Sequence, residues 1–410
     1  MRRSERRPAM IIFLAWLAYM ISYLGRADYG ACLLEIVSET GSSRAAAGMV
    51  SSVFSICNAF GQIASGFILR KIKPVKLIFI ELVFVSLINA VFPFSGGFAL
   101  MAALWGMNGC LQSTLLCSAT RLFTDTLEEP YLSRGAVLMN TVGAAGGMLN
   151  YLISWMIIKN VGWRYVFINS ASLLALTAVV WYLAMPKLAG NSSAADKPQA
   201  GAVQDGTKTP ILKHLCLYGT AFVVAGAFFV GLLRESVSLW IPTFMNEIFG
   251  ISSASSVIIT VFVPCLQICG ALLGGRLGRR FKNLHKLSSG AFAVSGICLL
   301  TLFLTLGASP AVSILFFTVN AISMTAALTF LLSLFPIRYF SRGAAPVLVG
   351  IINFFVHSGD FVASFGIGML SEKGGWSLTL IILALTAFTA AAVMLVGSGT
   401  ADNEKTHPSI

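Results

Sequence analysis

Apolar runs long enough to cross a lipid bilayer follow one another along almost the whole chain, and no other feature constrains the fold as tightly. A spanning helix needs about 20 predominantly apolar residues. Windows of that length lie near 9–37, 45–69, 75–95, 98–122, 133–158 and 162–185, and again near 213–247, 252–276, 286–307, 311–335, 343–370 and 376–398. In hydrocarbon the backbone must satisfy its own hydrogen bonds, and a helix does so within a single run. Only 11% of the residues are charged, against about 25% in a soluble domain, so water cannot be the solvent around most of this surface. The expected fold class is an all-α membrane protein with twelve transmembrane helices. The basic start, MRRSERRP, leads into its apolar run without a cleavage site and is read as the flank of a retained first helix.

The stretch 186–212 breaks the pattern. It is rich in Ala, Gly, Ser, Pro and polar residues with no amphipathic period, as a flexible linker is. The expected organisation is an N-terminal six-helix bundle over 1–185, a cytoplasmic linker over 186–212, a C-terminal six-helix bundle over 213–398 and a cytoplasmic tail over 399–410. Basic residues support the orientation. With the N-terminus in the cytoplasm, only Arg44, Lys159, Arg164 and Lys373 fall on the far side and only Arg26 and Arg234 inside helices; the rest of the 28 basic residues fall on the cytoplasmic side. Both termini are therefore expected inside the cell, with the chain in the inner (plasma) membrane. This scatter through short loops is an orientation signal and does not suit nucleic acid.

The two halves repeat. Ser133-Arg134-Gly135 and Ser341-Arg342-Gly343 stand 208 residues apart, as do Gly66 and Gly274. A shared offset marks a duplicated six-helix unit, with parallel repeats related by an axis along the membrane normal. The intramembrane arginines, Arg26 and Arg234, share the offset of 208. Each costs at least ~2.5–3.5 kcal/mol to place in a bilayer. Two such costs at matched sites point to bidentate binding of an anion, with a purely structural pairing to Asp28 or Glu235 as the alternative. On the first helix Tyr19, Tyr23, Arg26 and Gly30 share a face, and the tyrosines could add hydroxyl donors. Ala227, Gly231, Arg234 and Ser238 share the matching face of the seventh, where Gly231 leaves room beside the arginine.

Among the intramembrane acids, Glu235, Asp360 and Asp28 are candidates for proton coupling or for counter-charge. Glu35 is expected to reach the interface at its helix end, and Glu81 to snorkel toward the basic side. His357 and Asp360 are three apart, and His357 could bind the anion, relay a proton or serve structurally. Asn353 lies one turn earlier on the same stripe. Asn108 and Gln112 either line a cavity or hold helices together, and Asn140 with Gly146-Gly147 marks close helix packing. The cysteines show no metal-ligand spacing and no sign of disulfides. No phosphate-binding loop or nucleophile elbow is present, so neither an enzyme, a metal nor a cofactor is expected.

Twelve helices around a long middle linker resemble the major facilitator superfamily. Within it the chain resembles the organophosphate:phosphate antiporters, over nearly its whole length. The carrying motifs are YLGR at Tyr23 to Arg26, the seventh-helix stretch with Arg234, Trp240, Pro242 and Thr243, WGMNGCLQ with Arg121, and RGAVLMNT with Gly146-Gly147. The resemblance implies that Arg26 and Arg234 hold the substrate phosphate, with Tyr19 and Tyr23 beside them. It also implies departures. Gln62 stands where bacterial members have a lysine, and Gly143 where the glycerol-phosphate type has a histidine. Arg70 and Arg279 replace the acid of the superfamily's loop motif. The implied function is a secondary transporter of a small anionic organic solute, working as a monomer by alternating access. Exchange of an organophosphate for inorganic phosphate comes first, proton-coupled symport of an organic carboxylate second, and a solute sensor that carries nothing third. The substrate-binding candidates are Arg26, Arg234, Tyr19, Tyr23, His357, Asn353, Gln62 and Gln112.

Overall fold

The computed structural model describes residues 3–128, 131–139, 141–190, 219–336 and 345–406. Through the first half run α1 (Arg3–Thr40), α2 (Arg44–Lys71), α3 (Pro74–Val91), α4 (Phe98–Gln112), α5 (Leu115–Thr126), α6 (Tyr131–Met139), α7 (Val142–Asn160) and α8 (Arg164–Ala189). The second half holds α9 (Thr220–Phe249), α10 (Ser253–Thr260), α11 (Phe262–Arg280), α12 (Leu284–Leu304), α13 (Pro310–Leu328) and α14 (Ala345–Thr406). The breaks have local causes. Pro74 and Pro310 open α3 and α13, where the missing N–H costs nothing. Gly250 closes α9 in the left-handed conformation, and Gly375, at φ 70°, folds α14 into two arms.

Among the described residues, nine helical runs are long and apolar enough to cross a membrane. One of these, Leu348–Gly399, bends at Gly375 and supplies two spans. Two more spans are each built from a pair of shorter helices, α4 with α5 and α6 with α7. These are the twelve expected helices. α8 continues through Ala189. The segment 191–218, Asn140 and the Ser341-Arg342-Gly343 repeat element lie outside the described residues.

Two compact units divide the described residues. The first takes those of Met1–Gly41, Met49–Ala200 and Ser253–Pro264; the second takes those of Ser42–Gly48, Gly201–Ser252 and Cys265–Ile410. In the first, Leu24, Leu82, Val85, Phe123, Leu174 and Trp181 form a continuous apolar core. An aromatic knot adjoins it, with Phe92 4.6 Å from Phe167 and 5.0 Å from Trp105 between ring centroids. In the second, Phe244 packs edge-on against Phe317 and Trp376, both at 5.1 Å.

Each unit carries the same polar clasp. Glu39, at the end of α1, accepts Trp163 Nε1–H at 2.6 Å and pairs with Arg164 at 2.7 Å. Glu247, 208 positions later near the end of α9, accepts Trp376 Nε1–H at 2.7 Å and pairs with Arg44 at 2.7 Å. Sequence reasoning missed this repeat because its partners lie more than a hundred residues apart.

Candidate functional site

Arg26 sits two-thirds of the way along α1, half-buried. Its guanidinium lies over the ring of Phe54 at 5.0 Å and of Tyr23 at 5.8 Å. It makes no ion pair among the described residues. The expected structural partner, Asp28, points elsewhere: its Oδ1 accepts Asn150 Nδ2–H at 2.6 Å, and the side chain is fully buried. Residues two apart on a helix face apart, so Asp28 cannot reach back to Arg26. Tyr23 presents its ring face to the arginine. Gly146 packs so close to Tyr23 that an added methyl would come within 3.0 Å of its side chain, and Gly143, standing where the family can carry histidine, leaves space next to the Tyr23 hydroxyl. Tyr19 is half-buried about two turns before Arg26.

Amides tie the neighbouring helices to this point. Asn108 Nδ2–H donates to the carbonyl of Gly25, the residue before Arg26, at 3.2 Å. Gln112 donates to Asn108 Oδ1 at 2.8 Å, and Gln62 to Asn58 Oδ1 at 2.9 Å, while Asn58 donates to the Gly109 carbonyl at 3.1 Å. Gln112 and Gln62 thus extend a helix-to-helix network whose members Asn58 and Asn150 sequence reasoning passed over. A polar amide at a four-residue spacing was the available signal. Glu81 corrects an expectation. It does not snorkel: it is 1% exposed and accepts hydroxyls from Ser22 and Thr114.

In the second unit Arg234 is paired. Its Nη2 lies 3.3 Å from Asp360 Oδ1 and 3.2 Å from Oδ2. His357 Nδ1 lies 2.9 Å from the same Oδ2. Asp360 and His357 are buried, and the Arg234 side chain is about a quarter exposed, at 26%. The glycines explain the approach. Gly231 lies against the Val356 carbonyl, and Gly359 against the Phe228 carbonyl, so α9 and the first arm of α14 touch backbone to backbone. The room that Gly231 leaves is therefore filled by α14, and that contact brings Asp360 to Arg234. Asn353 and Glu235 are half-buried nearby in sequence, on α14 and α9. Sequence reasoning had Asp360 as a possible counter-charge but could not tell which arginine it served.

Each unit therefore offers one intramembrane guanidinium in a different electrostatic state. The first is flanked by aromatic faces; the second is neutralised by a buried carboxylate that also holds a histidine.

Comparison with known proteins agrees with this architecture. "Membrane sensor protein UhpC" of Escherichia coli (strain K12) is 21% identical over 94% of this chain and 91% of its own length. "Gallate transporter" of Pseudomonas putida is 23% identical over 94% of this chain and 91% of its own length. A bacterial homologue of the human lysosomal transporter Spinster, a solved structure, superimposes with a TM-score of 0.78 at 14% identity, covering 97% of this chain and 98% of that one. That likeness shows the fold. The family model for the Major Facilitator Superfamily matches residues 15–364, which bears out the resemblance read from the sequence: this chain is a multi-pass membrane protein belonging to the Major Facilitator Superfamily.

Proposed function

We propose that this protein is a proton-coupled secondary transporter of a small organic carboxylate, bound through Arg26 with Arg234 as the second anion-binding group. The observation that carries this reading is the inequality of the two arginines. Two unpaired guanidiniums would suit a phosphate dianion. Here Arg234 already holds Asp360, so Arg26, which touches no carboxylate among the described residues, is the guanidinium left open to the solute. One positive charge matches one carboxylate, and a planar fork matches it bidentately. The aromatic faces of Phe54 and Tyr23 around Arg26 suit a flat or ring-shaped solute. The likeness to a gallate transporter, whose named solute is a carboxylate, agrees.

The solute then competes with Asp360 for Arg234. When the anion arrives, Asp360 passes to His357, 2.9 Å away, and a proton taken up by the pair answers the freed carboxylate. Solute loading is coupled in this way to protonation of the second unit. Asp28 and Glu235 stay in the proposal as further proton-coupling candidates. Alternating access between the halves carries the loaded site across the membrane, with both termini cytoplasmic.

A sensing role is the second reading, favoured by the likeness to a membrane sensor over nearly the whole chain. Fold does not fix function in such a family. Uptake into proteoliposomes decides among the possibilities. The expected result is gallate or sugar-acid uptake that requires an inward proton gradient. Exchange of a sugar phosphate for internal phosphate would overturn the carboxylate reading, and saturable binding with no flux would establish the sensor.

A further inference from the structure

We infer that Glu81 is the proton-binding site of the first unit, coupled to Arg26 through α1, the helix that carries both Ser22 and Arg26; this deepens the symport reading and rests on it. Glu81 is on α3, 1% exposed. Its Oε1 accepts the Ser22 hydroxyl at 3.1 Å and its Oε2 the Thr114 hydroxyl at 3.2 Å. Both donors are buried as well. Thr114 occupies the break between α4 and α5, and Ser22 lies on α1 one turn before Arg26. Glu81 has no cationic partner among the described residues.

The repeat shows that the fold does not require this cluster. Counted from the first residue of each helix, Glu81 of α3 corresponds to Ala291 of α12, and Thr114 beyond α4 to Ala326 of α13. The same registers match Leu82 to Phe292 and Asn108 to Asn320, all buried. Ser22 corresponds to Val230 at the offset that relates the arginines. At these registers the second unit carries Val, Ala and Ala, with Val230 and Ala326 buried. An acid and two hydroxyls in hydrocarbon are an addition made in the first unit alone.

A carboxyl held only by neutral donors in a bilayer is tolerated when it carries a proton or when a cation compensates it. The helix that supplies Ser22 carries Arg26 one turn later. Tyr19 lies one turn before Ser22 on the same helix. Tyr23 on α1 and Cys117 on α5 are the other titratable groups around that tyrosine. α8 carries no acid or base between Ala171 and Trp181, the stretch bounded by its contacts with Ser86 and Val75 of α3. Two states of the first unit are then charge-balanced. In the empty state Arg26 is cationic and Glu81 anionic. In the loaded state the solute carboxylate neutralises Arg26, and Glu81 takes a proton from the water on the loading side, to return it to water on the other. A state with only one of the two bound leaves a net charge in the membrane, so solute and proton travel together.

Glu81→Gln keeps the size and a carbonyl acceptor for Ser22 or Thr114. In proteoliposomes of the full chain, gradient-driven accumulation of gallate is expected to fall to a ratio of one, while counterflow between equal gallate pools persists. The acid carbonyl band that appears and disappears with pH in the infrared difference spectrum of the solute-free wild-type protein should vanish in the variant, a readout that needs no solute. Retained accumulation, or an unchanged infrared band, overturns the assignment. Loss of counterflow and accumulation together also overturns it, since Glu81 would then be structural. A wild-type protein whose uptake ignores the proton gradient refutes the symport reading itself, and the infrared band still reports whether Glu81 binds a proton.

Discussion

The two arginines should respond to the same substitution with opposite effects on stability. Arg26→Gln removes a cation that touches no carboxylate among the described residues, and Glu81, left without that balancing charge, takes a proton from water. The substitution forgoes cation–π contact with Phe54 at 5.0 Å and Tyr23 at 5.8 Å, together about 1–2 kcal/mol. It also removes the cost of an intramembrane charge, ~2.5–3.5 kcal/mol. The variant should be as stable as the wild type or more so, by up to about 2 kcal/mol. Arg234→Gln strands Asp360, which is buried at 2% exposure. Breaking a buried pair from one side costs about 3–5 kcal/mol. With the Arg234 side chain 26% exposed and His357 still in contact, about 2–3 kcal/mol is the appropriate figure after screening. Thermal denaturation in detergent should therefore rank Arg26→Gln at or above wild type and Arg234→Gln well below it. Adding Asp360→Asn to Arg234→Gln should restore most of the loss, because the double change removes the stranded charge. Both single variants should lose solute affinity by roughly 10–100-fold, the worth of a charge-assisted hydrogen bond. Equal destabilisation by the two arginine variants, or no rescue by Asp360→Asn, would refute the inequality on which the carboxylate reading stands.

Other outcomes follow from single contacts. Gly359→Ala places a methyl against the Phe228 carbonyl and the Leu232 backbone nitrogen; it should cost about 1–3 kcal/mol and weaken transport, both measurable on the purified protein. Protonated His357 draws Asp360 away from Arg234, so anion binding should strengthen as pH falls, and His357→Gln should abolish that rise; an unchanged pH profile would make the histidine structural. The charge distribution predicts a linker inside the cell, so a cysteine at Ala202 should resist an impermeant thiol reagent added to intact cells while Lys373→Cys reacts; labelling at Ala202 would reverse the topology.

The spans were legible because hydrocarbon leaves a helix few alternatives, and twelve apolar windows of the right length state that directly. The arginines were legible for the same reason, since charge in a span is expensive and an offset of 208 is not chance. Their partners were not. Asp28 was a plausible partner for Arg26 by proximity in the chain, but helix geometry turns it toward Asn150. Asp360 reaches Arg234 only because Gly231 and Gly359 let two helices touch, and no sequence rule tells which of many small residues meets a partner's backbone. Glu81 was misjudged because snorkelling is a statistical habit of residues near helix ends, and the Ser22 and Thr114 hydroxyls that hold it inside come from two other spans.

The repeat itself offers a way to separate structure from function. Where both halves keep a feature, the duplicated fold is its simplest cause: Glu39 with Trp163 and Glu247 with Trp376 fasten the ends of matching helices. Where the halves differ, the fold has been shown to manage without the feature. Asp28 and its bond to Asn150, the pairing of Arg234 with Asp360 and His357, and the Ser22–Glu81–Thr114 junction all belong to one half only. Each puts an acid into hydrocarbon where the other half carries none at the matching register: Ser236 stands 208 positions from Asp28, Leu152 from Asp360, and Ala291 at the helix register of Glu81. An expense borne in one copy and not in the other calls for a role outside folding, and binding an anion together with a proton supplies one for each of these clusters.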